Sequence, residues 1–86
     1  MIQRLKTPVT VNLVYDHRQR TVRPVALVWD GREYPVVRVG MHHTYREGRT
    51  LFHVFSVASD AVFFRLVLNT DNLSWQLEEV ADGEAN

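Results

Sequence analysis

Residues Val25 to Val37, VALVWDGREYPVV, carry the clearest local signal in the chain. Bulky residues alternate with lesser ones up to Trp29, Asp30-Gly31 interrupts, and the alternation resumes to Val37. A type I′ two-residue turn needs positive φ at both central positions, and Asp-Gly suits it because glycine has no Cβ to clash. Counting outward from that turn pairs Trp29 with Arg32, Leu27 with Tyr34 and Val25 with Val36, all on one face. Trp29 and Arg32 are then placed for a cross-strand cation–π contact of roughly 0.5–1 kcal/mol. Pro35 has no N–H to give, so its strand must be an edge or be bulged there.

The rest of the chain repeats this grammar. Short period-2 runs are separated by turn residues at roughly 8–12-residue spacing, and no stretch sustains a helical apolar period. Strands are expected near 8–15, 21–29, 32–40, 49–58, 61–68 and 73–80. The expectation is an all-β domain of about six antiparallel strands in consecutive hairpins, an SH3-like or similar small, partly open barrel. Residues 1–80 form the single domain, and 81–86 (ADGEAN) a short, polar, acidic and flexible tail.

Two further hairpins can be registered by counting. A loop over Asn69–Asn72 pairs Leu66 with Trp75 and Phe64 with Leu77. The reverse face then pairs Phe63 with Glu78, Arg65 with Gln76 and Val67 with Ser74. A Ser59-Asp60 turn sets Phe55 against Phe64 and His53 against Leu66. Phe52, Val54, Phe63 and Val67 then share the opposite face. Either the N-terminal hairpin covers that face, which is the favoured expectation, or it is a patch for a partner.

Composition narrows the classes of function. The 86 residues contain no cysteine, which removes disulfides and thiol-based metal or redox sites. The opening MIQRLKTPVT has no apolar core of a signal peptide, and no run is long enough to span a membrane. A cytoplasmic protein is expected. Net charge is zero, yet residues 1–49 hold nine bases against four acids, and residues 50–86 one base against six acids. Nine of the ten bases are arginine, whose planar fork suits carboxylate and phosphate. An arginine-favouring codon bias would leave the same mark.

Catalytic constellations are scarce. Ser56, Ser59 and Ser74 lack a G-x-S-x-G context, and no glycine-rich phosphate loop is present. Glu78 and Glu79 should alternate faces on a strand. Adjacent His42 and His43 should likewise point apart, leaving His43 with His53, and Glu47 or Asp60, as a conceivable metal set. Solvated surface imidazoles with a packed His53 are the plainer reading, and neither an enzyme nor a cofactor is expected. Nucleic-acid binding has more support. Arg23, Arg32, Arg38, Arg46 and Arg49 are interleaved with Trp29, Tyr34 and Tyr45, the mixture with which small barrels stack bases and follow phosphates.

The pieces RPVALVWDGREYPVVRV (23–39), LFHVFSV (51–57), FFRLVL (63–68) and WQLEEVAD (75–82) resemble a small bacterial β domain of unknown function that accompanies translesion, Y-family DNA polymerases. The shared pattern is Trp-x-Gly-Arg-x-Tyr-x-Val, an aromatic hairpin and a final Trp-x-Leu strand, over roughly residues 23–82. Family members often carry tryptophan after the third strand; this chain has MHHTYREG there, with Tyr45 nearest in kind. The resemblance implies an accessory role in DNA replication or repair and no catalytic residues. The leading expectation is a non-catalytic binding module contacting a polymerase or single-stranded nucleic acid through Trp29, Arg32, Tyr34, Arg38, Tyr45 and Arg46. The alternative is a protein-interaction or homodimerisation module using Phe52, Val54, Phe63 and Val67. A small metal-binding or enzymatic domain around His42, His43 and His53 is the third.

Overall fold

A computed structural model describes residues 1–82. The chain is all-β: β1 (Ile2–Pro8), β2 (Thr10–Asp16), β3 (Thr21–Trp29), β4 (Arg32–Pro35), β5 (Arg38–Glu47), β6 (Thr50–Ser59), β7 (Val62–Asn69) and β8 (Ser74–Asp82). They form a five-stranded antiparallel sheet, β1-β8-β7-β6-β5, and a three-stranded sheet, β2-β3-β4. No helix among the described residues is long and apolar enough to cross a membrane.

Eight strands stand where six were expected, because the run over 32–40 changes sheet at a corner and because β1, which was not expected, precedes a second corner. Val36 N–H donates to the Val25 carbonyl of the small sheet (2.9 Å), and the next residue, Val37, donates to Ala58 of the large one (2.9 Å). The run expected over 32–40 is therefore β4 and the start of β5, and β5 continues through MHHTYRE to Glu47. At the other corner, Val9 N–H donates to the Trp75 carbonyl (3.3 Å) between β1, where no strand was expected, and β2, which corresponds to the strand expected over 8–15. Both ladders break at these corners, so the sheets stay distinct and no closed barrel forms. Pro35 ends β4 on the edge of the small sheet, where its missing donor costs nothing.

The faces are as counted, although two registers slip. Ser59 pairs with Val62, so the turn is Asp60-Ala61, and Phe55 opposes Leu66 instead of Phe64. The next loop is Thr70–Leu73, and Leu68, not Leu66, opposes Trp75. Asn69 Oδ1 accepts the Asp71 N–H (2.8 Å) and Asn72 Oδ1 the Ser74 N–H (3.0 Å), side-chain turns that carry the loop one residue further than alternation implies. Each slip moves the pairing by two positions, which preserves which face every side chain occupies. A bulge in β8 then sets Arg65 opposite Glu79, Phe64 opposite Val80 and Phe63 opposite Ala81. It also puts Glu78 and Glu79 on one face: Arg65 lies 3.8 Å from Glu78, and Arg4 3.5 Å from Glu79. The expected alternation of these carboxylates fails because the extra residue breaks the pleat.

The core lies between the sheets. Leu27 meets Phe55, Val57, Phe64, Leu66 and Leu77, all buried, with Trp29, Tyr34 and Trp75 packed around them. The N-terminal hairpin thus covers the Phe55–Phe64 face and leaves the Phe52–Phe63 face without a covering sheet, contrary to the favoured expectation. Leu27, Trp29 and Tyr34 supply the matching apolar surface, and burying side chains of this size stabilises by roughly 1.5–3 kcal/mol each. On the outer face Val54 and Val67 are buried mid-sheet, while Phe63 keeps 40% of its surface exposed. Lys6 of β1 and Tyr45 of β5 line one outer concavity of about 300 Å³. In a flat sheet these edge strands would stand about 19 Å apart, so the sheet is strongly coiled.

Ala81 and Asp82, expected in the tail, complete β8; residues 83–86 lie outside the described residues.

Candidate functional site

The β3–β4 hairpin forms as its sequence implies. Asp30 (φ 56°) and Gly31 (φ 75°) both occupy the left-handed region, and Trp29 opposes Arg32, Leu27 opposes Tyr34. The contacts of its aromatics are different. Tyr34 meets Phe64 edge-on at 4.9 Å between centroids, and Trp29 meets the same ring at 6.2 Å. The Arg32 guanidinium sits over Tyr34 at 5.4 Å; this neighbour two residues along the same strand replaces the expected Trp29 partner. Both rings are committed to the core, so this hairpin offers a cation on an aromatic rim and no open stacking platform.

The remaining expected contacts lie on β5, in separate places. Arg38 stands at the corner with Arg23, Pro24, Val36 and Val37, around a concavity of about 260 Å³. Tyr45 stacks on its cross-strand partner Phe52, centroids 4.9 Å apart and planes at 13°. Burial first, then the charges of Glu78 and Glu47, push its phenol pKa up. Arg46 alternates to the other face of the strand. The six residues proposed from sequence therefore divide among the hairpin, the corner and the far half of β5.

Ion pairing explains the electrostatics of the surface. Among the described residues Glu79 pairs with Arg4, Glu78 with Arg65, and Asp82 with the N-terminal ammonium (3.4 Å). Asp16 accepts the Arg18 N–H in its own turn, and Asp71 accepts the Thr50 hydroxyl. Arg18, Arg20, Arg23, Arg32, Arg38, Arg46 and Arg49 are exposed and make no ion pair among the described residues. The surface thus presents guanidinium groups outside ion pairs, alongside the exposed carboxylates of Asp30, Glu33, Glu47 and Asp60, which also make none among the described residues.

Of the histidines, His42 and His53 meet, not His43 and His53. The two-residue Gly48-Arg49 turn sets His42 opposite Phe55 and His53 opposite Thr44, diagonal positions on the core-facing side, while His43 opposes Val54 on the outer side. His42 Nε2 and His53 Nδ1 are 2.7 Å apart, and His42 stacks on Phe55 at 4.1 Å. The 5.0 Å centroid separation is close to that N···N distance plus two ring radii, so the nitrogens meet head-on at hydrogen-bonding distance, the tautomer setting which one donates. Burial, then His53 and His43, lower the His42 pKa. No group of three or more His, Asp or Glu among the described residues is arranged to hold a metal ion.

Sequence reasoning missed Gly40 and Arg65. Both line, with Arg38 and Phe63, an outer concavity of about 150 Å³ beside the β5 bulge. An isolated glycine inside an alternating strand was the available signal for that bulge. Compared with family models, curated proteins and solved structures, the chain matches none.

Proposed function

We propose that this chain is a non-catalytic binding module that contacts nucleic acid, as an accessory to DNA replication or repair. The observation that carries this reading is the set of seven exposed arginines outside any ion pair among the described residues. Guanidinium groups displace counterions from phosphates, and that gain is independent of base sequence. Resemblance to a polymerase-associated domain supports the same setting. The test is anisotropy of labelled single- and double-stranded DNA across salt concentration. Binding should weaken steeply with salt, and Arg46→Ala should reduce the slope by roughly 0.7–0.9 if that residue contacts one phosphate. Salt-independent binding, or none at low salt, overturns the proposal.

One observation favours a second reading, a protein-interaction or homodimerisation module. β5 is the edge of the large sheet, and Gly40 to Glu47 are all exposed, leaving backbone donors and acceptors free for an added strand. Where association instead uses the outer patch of Phe52, Val54, Phe63 and Val67, Phe63→Asp abolishes it in sedimentation experiments while the monomer stays folded, since Phe63 is 40% exposed; association that survives Phe63→Asp points to the β5 edge.

A further inference from the structure

We infer that the outer concavity beside Gly40 is the seat for one nucleotide of a single strand, with the base on Phe63 and the flanking phosphates on Arg38 and Arg23. This inference rests on the nucleic-acid reading above and gives it a location that differs from the Trp29 hairpin.

Three features converge there. Phe63 is an aromatic side chain of the large sheet with an accessible ring, and it lines the same concavity as Arg38 and Arg65. Arg38 also lines the neighbouring concavity with Arg23, so the two hollows meet at one arginine. Positive charge therefore runs from β3 across the corner to β7. Glu79 reaches the hollow too, but Arg4 lies 3.5 Å from its carboxylate; Arg65 is held more loosely, 3.8 Å from Glu78. The charge left for a ligand is positive.

The size of the hollow suits one base of a polymer better than a whole small ligand. At about 150 Å³ it is smaller than the roughly 300 Å³ at which pockets for whole small ligands begin. Its apolar lining, Ala58, Phe63 and Ala81, suits a planar base, and the arginines at its mouth suit the chain that carries the base onward.

Gly40 keeps the hollow open. A Cβ at this position would lie 3.5 Å from the Ser56 carbonyl oxygen, an ordinary contact, and the backbone is not in the left-handed region. The fold thus admits a larger residue there, and glycine within a strand is common where a ligand approaches the backbone. A side chain at this position can plug the hollow without straining the turn or the core.

The experiment is anisotropy of a labelled oligothymidylate, an unstructured single strand, with wild type, Phe63→Leu, Gly40→Leu and Arg38→Gln, each checked for an unchanged thermal midpoint. Phe63→Leu should weaken binding about tenfold at every salt concentration with the slope preserved, because stacking releases no counterions. Gly40→Leu should weaken it in the same way. Arg38→Gln should lower the slope by about 0.7. Wild-type binding that Phe63→Leu and Gly40→Leu leave unchanged overturns this site and spares the nucleic-acid reading. Absence of wild-type binding overturns both.

Discussion

Tyr34 and Tyr45 make a controlled comparison within one molecule. Each lies on a hairpin strand, each has an arginine nearby in sequence, and each ring centroid is 4.9 Å from that of a phenylalanine. Tyr34 meets buried Phe64 edge-on in the core, whereas Tyr45 stacks flat on Phe52 on the open face and keeps 40% of its surface exposed. The same residue type at the same separation thus does two jobs. What differs is whether a second sheet closes over the pair. The small sheet lies over β6–β8 on one side only, so aromatics on that side are structural and those on the other remain accessible.

The largest expected effect tests that contrast directly. Tyr34→Ala should destabilise by about 2–4 kcal/mol, as truncation of packed core rings does, and Tyr45→Ala by under about 1 kcal/mol, the range of an exposed cross-strand pair. Urea unfolding of the two variants measures both, and equal losses would break the comparison. Next in size is the turn that delivers Tyr34 to the core. Gly31 holds φ at 75°, so Gly31→Val forces a β-branched residue into the left-handed region and should cost on the order of 1–3 kcal/mol. Val at this position should also blunt the unfolding transition by loosening the register of β3 and β4.

The smallest effect sharpens the comparison at a third site, where an imidazole pair lies at the boundary between core and solvent. His42 is held below its ordinary pKa of about 6.5 by burial and by His53 and His43. The unfolded chain then takes up the proton first as pH falls. Stability from this group is complete above about pH 6.5 and is lost as pH drops through the depressed folded value. The thermal midpoint should fall between neutral and mildly acidic pH, and His42→Gln should flatten that part of the profile. A profile that His42→Gln leaves unaltered would show that the pair does not couple to folding.

Some of these placements were legible from residue order. Asp30-Gly31 dictates its own turn, because few other conformations suit that dipeptide between alternating strands. The inner set Leu27, Phe55, Phe64, Leu66 and Leu77 follows from parity, which two-residue slips do not disturb. The His42–His53 pairing was equally available by counting back from Gly48-Arg49, where Gly48 holds φ at 61°. The Asx turns at Asn69 and Asn72 were not available from alternation, since local side-chain hydrogen bonds overrode the count, and neither was the extra residue of the bulge at Glu78, which breaks the alternation itself.

Which side of the large sheet is covered was beyond pattern reading, because both faces carry apolar residues. Val54 and Val67 on one side look as core-like in sequence as Phe55 and Leu66 on the other. Residue order alone determined an all-β chain, its best turn, the parity of its faces and the surplus of arginine. Tertiary structure decided that Val9 and Val36-Val37 turn corners between sheets, that Trp29 and Tyr34 pack against the core, and that Phe63 and Arg38 share an open hollow. Alternation is a local property of the backbone, while burial depends on which distant surface arrives to exclude water.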